Sequence, residues 1–167
     1  FVLYNNIKHM DKVLKTLKRL LPSANVKYAH GQMNKDASEE IMNNFVNKKI
    51  DILLTTTIIE NGIDIPNANT IIVLEAENFG LSQLYQIRGR VGRSDKIAYA
   101  YFMYNNAKIL TETARKRLEA IKEFTELGSG YKLSMRDLSI RGAGDILGRE
   151  QAGFIDSIGL DMYIKLL

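Results

Sequence analysis

Arg90 and Arg93 stand three residues apart in the run Gln86-Ile-Arg-Gly-Arg-Val-Gly-Arg-Ser94, with Gly89 and Gly92 clearing space around them. Guanidinium groups are planar, permanently charged and multiply donating, so this pair suits the terminal phosphate of a nucleotide. A basic helix end that only complements the helix dipole accounts for one cation. It does not account for Arg88, Arg90 and Arg93 spaced by two glycines. The sequence holds no GxxxxGK[ST] phosphate loop, so these arginines cannot cradle a nucleotide alone. Half of an active site is expected, with the other half on a neighbouring domain.

A second segment, Thr55-Thr-Thr-Ile-Ile-Glu-Asn-Gly-Ile-Asp-Ile-Pro66, follows an apolar strand-like run. In open α/β sheets, ligands bind beyond the carboxyl ends of strands, and both segments are expected there. Hydroxyls and free N–H groups at a strand end suit phosphate. Gly62 before Asp64 permits a turn that presents a carboxylate to a ribose hydroxyl; a strand-to-strand loop stopped by Pro66 is the plain alternative. His30-Gly31 closes another strand, where a hydrogen-bonded structural histidine or a nucleic-acid contact is expected. Gly142, Gly144 and Gly148 lack the spacing and the preceding strand of a dinucleotide fingerprint. The flanking Arg136, Arg141, Arg149 and Gln151 either hold a backbone or neighbouring domain, or are scattered solvated charge. Tyr and Phe fall on apolar stripes and strands, which predicts core positions and not a base-stacking platform. Lys48-Lys49 reads as a solvated helix end.

The elements that must position these groups alternate. Strand patterns cover residues 1–4, 26–29, 51–55, 70–74 and 98–104. Between them lie a helix with Met10, Val13, Leu14, Leu17, Leu20 and Leu21 on one stripe, stopped by Pro22, a helix capped near Asn34, and a helix over 81–87. Alternation of this kind predicts a doubly wound parallel sheet with helices on both sides. Residues 1–108 form that sheet domain in this reading. Residues 109–167 are expected as a helical hairpin (110–127 and 131–140), a glycine-rich loop and the start of a further helix. The opening Phe1-Val-Leu-Tyr4 and the closing Ile164-Lys-Leu-Leu167 read as cuts inside a longer protein.

Composition sets bounds. The 167 residues are 46% hydrophobic, enough for one compact domain with an appendage. A net charge of +4 is compatible with a polyanionic partner. Zero cysteines and two histidines exclude disulfides, thiolate metal sites and a histidine-rich metal centre, so no metal site is assigned. No apolar run is long enough to cross a bilayer as a helix, and the expectation is a cytoplasmic protein without a membrane partner.

Residues 55–66 and 86–94 resemble motifs V and VI of superfamily 2 helicases, in the order and spacing of the second RecA-like lobe. Residues 1–6 resemble motif IV, and His30-Gly31-Gln32-Met33 the short motif after the next strand. The spellings are those of double-stranded DNA translocases rather than DEAD-box RNA helicases, although Asn61 stands where threonine is more usual. Leu127-Gly-Ser-Gly-Tyr131, Asp137-Leu-Ser-Ile-Arg-Gly-Ala-Gly144 and Gly148-Arg-Glu-Gln-Ala-Gly153 are similar to the translocation motif shared by transcription-repair coupling factors and fork-remodelling, branch-migrating helicases. The stretches 123–130 and 156–167 favour the coupling factors.

That resemblance implies a RecA-like, P-loop NTPase-like helicase C-terminal lobe, and it implies roles. Arg93 would be the arginine finger and Arg90 a second γ-phosphate contact, with Gln86 ordering the phosphate or the attacking water. Gly62 and Asp64 would face the nucleotide, and Thr56 and His30 would contact DNA. Arg141 and Gln151 would belong to the loop that converts lobe closure into movement. The cofactor implied is ATP with Mg²⁺, whose phosphate loop and acidic metal ligands would lie on the first RecA-like lobe; no Asp-Glu dipeptide occurs here. The partners implied are double-stranded DNA, that first lobe, and RNA polymerase and excision-repair proteins through other domains. The isolated chain is expected to be inactive. A fork-remodelling helicase, or a non-catalytic DNA- or partner-binding module of the same fold, are the alternatives.

Overall fold

The computed structural model describes residues 1–56, 68–91, 97–106, 109–124 and 130–141. By its contacts the chain divides into two compact units, one of Phe1–Ala76 with Gln86–Asn105, the other of Glu77–Tyr85 with Asn106–Leu167.

The first unit is built on five parallel strands: β1 (Val2–Leu3), β2 (Val26–Ala29), β3 (Ile52–Thr55), β4 (Thr70–Val73) and β5 (Tyr99–Phe102), in the order β2-β3-β1-β4-β5. The chain steps outward from β1 to β2, then turns back to β3. Right-handed crossovers therefore put α1 (Met10–Leu20) and α2 (Lys35–Val46) on opposite faces. Packing agrees. Val13, Leu14 and Leu17 of α1 join Val2, Tyr4, Leu54 and Ile72. On the other face, Met42 and Phe45 of α2 join Ala29, Ile50, Leu53 and Ala68. The fully buried neighbours Leu53 and Leu54 thus serve opposite clusters, as continuous apolar runs in parallel sheets do.

Local chemistry sets the helix ends. The Asn34 side chain accepts the Asp36 N–H at 3.0 Å and caps α2. At its far end Lys48 N–H donates to Phe45 O and Lys49 N–H to Asn44 O, with Lys48 left-handed at φ 60°. This is a Schellman closure with lysine where glycine is cheaper; the pair is a solvated helix end, as read. In α1 the apolar stripe stops short: Leu20 and Leu21 are exposed. Eleven helical residues span roughly 16 Å against about 13 Å for a four-residue strand, so the last turn overruns the sheet.

The second unit contains the first half of α3 (Leu81–Arg88), together with α4 (Glu112–Glu123) and α5 (Gly130–Arg141). α4 is shorter than the 110–127 expected. Thr111 caps it by accepting the Ala114 N–H at 3.2 Å, and helix assignment ends at Glu123. α4 and α5 pack against each other, and Ala114, Ala120 and Ile121 of α4 and Leu133 of α5 are buried. Gly130 sits under the Tyr85 ring, whose hydroxyl would lie 3.5 Å from an added Cβ.

The expectation that the aromatic residues are core is corrected at Tyr99, Tyr101, Tyr104 and Tyr131, all exposed. β5 is the edge strand, and its register with β4 places Tyr101 beside Ile72 on the α1 face. There Tyr99 and Tyr101 stack on each other, centroids 6.4 Å apart and planes 12° from parallel.

Candidate nucleotide and nucleic-acid sites

Two regions of the first unit carry the polar residues singled out from the sequence. One is the carboxyl edge of the sheet. The pairing of Ala29 with Thr55 and of Leu3 with Thr55 sets the next residues, His30, Thr56 and Tyr4, along the ends of neighbouring strands. Thr55 and Thr56 are buried, with the Thr55 hydroxyl donating to Thr56 O at 3.1 Å. His30 is half-buried and stacks on Tyr28 at 5.8 Å, and its Nδ1 is buried without a hydrogen-bond partner among the described residues. Burial of an unmatched imidazole nitrogen is costly unless something supplies the missing partner. As a residue His30 is half-buried and so more accessible than Thr56, which is 5% exposed.

At the same edge lies a pair that pattern reading missed. The Tyr4 hydroxyl donates to Glu75 Oε1 at 3.4 Å across β1 and β4. Burial, and then the Glu75 carboxylate, push the Tyr4 pKa above its ordinary value. Glu75 adopts φ 51°, a left-handed conformation uncommon for a non-glycine residue. No sequence signal marks it, because glutamate does not announce a positive φ.

The other region is the end of α3. Helical spacing divides it into two sides. Ile87 is buried and Val91 packs onto the α2-side cluster, while Gln86 is exposed and Arg90 half-exposed. Past the helix the turn tightens, with Arg90 N–H donating to Ile87 O at 3.1 Å and Val91 N–H to Arg88 O at 3.4 Å. Val91, an apolar residue between two cations, fastens it to the flank of the sheet on the α2 face. Gly62, Asp64, Arg93 and Gln151 lie outside the described residues, and Arg141 is the last residue of α5.

A guanidinium and an exposed carboxamide four residues apart can donate to polyphosphate oxygens. No group of three or more His, Asp or Glu residues among the described residues could hold a metal ion. A cavity of about 500 Å³ lies elsewhere, at the amino ends of the strands, lined largely by apolar residues such as Phe1, Leu17, Phe45 and Ile72. Its charged lining residues are Lys48 and Asp51. No helix among the described residues is long and apolar enough to cross a membrane.

Comparison with known proteins bears on both regions. The chain is 59% identical over its whole length to the transcription-repair-coupling factor of Staphylococcus haemolyticus (strain JCSC1435) and 58% identical to that of Staphylococcus aureus (strain USA300). It spans 14% of the length of each. Among solved structures it is similar to RecG bound to a three-way DNA junction, with TM-score 0.71 and 34% identity over 87% of this chain and 19% of that one. The C-terminal domain of the DEAD-box protein Dbp5, with TM-score 0.57 and 18% identity over 84% of this chain and 79% of that one, shares the fold. Residues 1–95 match the helicase conserved C-terminal domain. With its five-stranded parallel sheet and helices on both faces, the chain belongs to that family of RecA-like helicase C-terminal lobes.

Proposed function

We propose that this chain is the second motor lobe of an ATP-dependent double-stranded DNA translocase that displaces stalled RNA polymerase and couples transcription to nucleotide excision repair. The observation that carries the reading is the 59% identity to transcription-repair-coupling factors over every residue of the chain, translocation motif included. The end of α3 supports it, with Gln86 exposed and Arg90 half-exposed beside the buried Ile87. In this reading Arg90 and Arg93 stabilise charge developing at the γ-phosphate of ATP, and Gln86 orders the attacking water. Gly62 and Asp64 face the nucleotide. The phosphate loop and Mg²⁺ ligands belong to the first lobe of the longer protein, so the isolated chain hydrolyses no ATP. An arginine supplied across an interface is worth about 10³–10⁵ in rate, which makes hydrolysis conditional on closure of the lobes.

His30 and Thr56 grip DNA phosphates at the carboxyl edge, a contact that is sequence-tolerant and salt-sensitive. Arg141 and Gln151 belong to the element that turns closure into movement along the duplex. RNA polymerase and repair proteins engage other domains of this cytoplasmic motor. A second reading, a fork-remodelling helicase, is favoured by the 34% identity to RecG, a weaker likeness than that to the coupling factors. The full-length protein decides between them. Release of stalled RNA polymerase is expected, and regression of a model fork without polymerase release would replace the first reading with the second. Gln151→Ala should leave hydrolysis while abolishing movement; coupled movement in that variant would reject its role.

A further inference from the structure

The outward face of α1 is a row of uncompensated cations. Lys12, Lys15 and Arg19 fall within an arc of roughly 60° at the helical rotation of about 100° per residue. Lys8 precedes them in the turn that leads into α1, and Lys18 lies beside them. All five are exposed. The row stands opposite the side that Val13, Leu14 and Leu17 bury against the sheet. On α2 and α4 several cations are matched by acids on the same helix. On α2, Lys35 pairs with Glu39; on α4, Arg115 pairs with Glu112 and Glu119, and Lys116 with Glu112. None of the five α1 cations has a carboxylate partner among the described residues, and Asp11 is the only acid on the helix. Like charges three and four residues apart weaken a helix, so folding gives no reason for the row.

We propose that this face of α1 lies along the phosphate backbone of duplex DNA, extending the contact made at the carboxyl edge of the sheet. The inference rests on the reading of the chain as a lobe of a DNA motor. Two features favour DNA over an acidic protein surface. The turn before α1 follows directly from the carboxyl end of β1, beside His30 and Thr56, so the row starts where the other DNA contacts are assigned. From Lys8 to Arg19 it then runs about 16 Å along the helix, the length of about five phosphates on one strand. Within the row the other exposed residues, His9, Asp11 and Thr16, are polar, and the exposed Leu20 and Leu21 lie just beyond Arg19. The row itself carries no aliphatic anchor of the kind that protein partners use.

The test uses the full-length protein carrying Lys8→Gln, Lys12→Gln, Lys15→Gln and Arg19→Gln together. Binding to a random-sequence duplex of about 30 base pairs is followed across a salt series, with circular dichroism to establish that the fold is kept. Each phosphate contact contributes about 0.9 to the slope of log affinity against log salt. With four cations removed, the slope of the variant should therefore be shallower by about 3.6. A companion with the three lysines changed to arginine should keep the wild-type slope. An unchanged slope in a folded quadruple variant overturns the proposal, and so does loss of polymerase binding with DNA binding intact. Should the wild-type protein itself show no salt-dependent duplex binding, the motor reading fails, which is a separate outcome.

Discussion

The flank of the sheet and its carboxyl edge handle polar side chains in opposite ways. On the flank, Ile87 is buried and Val91 packs onto the α2-side cluster, while Gln86 is exposed and Arg90 half-exposed. At the edge, Thr55, Thr56 and Tyr4 are buried, and the Thr55 and Tyr4 hydroxyls donate internally, to Thr56 O and to Glu75. A lobe that spends hydroxyls on its own backbone has mostly structural use for them. His30 is the exception at the edge, because its Nδ1 finds no partner among the described residues.

Substitutions can separate the two regions. The largest effect is expected at Arg90. In the full-length protein Arg90→Ala should lower DNA-dependent ATP hydrolysis by about 10²-fold or more, with duplex affinity retained in a nucleotide-free binding assay. Equal losses in both assays would erase the distinction between flank and edge. Leu54→Ala removes a side chain from the α1-face cluster under the central strands. It should cost about 2–5 kcal/mol in denaturant unfolding and weaken both regions alike. Val91→Ala loosens only the flank. About 1 kcal/mol of stability should be lost, and hydrolysis should fall at unchanged DNA affinity; normal turnover would show that the anchor does not position Arg90. The smallest change is at the edge. His30→Ala should weaken duplex binding by a few-fold, in line with about 1 kcal/mol for one hydrogen bond, and leave DNA-independent hydrolysis as it was.

Much of the fold was readable because its signals are local. The β-branched run of β4 and the short β-prone run of β2 mark those strands to within a residue, and Asn34 caps α2 as its chemistry requires. What was not readable depends on how elements meet. Nothing in residues 26–29 says that β3 will insert between β2 and β1, and nothing in the β5 pattern says that its tyrosines face outward from an edge. The apolar stripe of α1 continues to Leu21, although the sheet beneath it ends sooner. The site divides in the same manner. Residue types made Gln86, Arg90 and His30 candidates. Their positions, one segment on a flank and the other at an edge, needed the register of the strands and the packing of Val91. The Tyr4–Glu75 pair joins residues 71 apart and had no pattern to betray it.

The most direct test of the central claim, that the end of α3 completes a nucleotide site shared with another lobe, is steady-state hydrolysis by the full-length protein carrying Arg93→Ala, measured with saturating DNA and alongside ATP affinity. The account predicts a fall in turnover of about 10³-fold or more, with ATP affinity changed by less than about tenfold and the melting temperature unaltered. Turnover within a few-fold of wild type in that variant would contradict it.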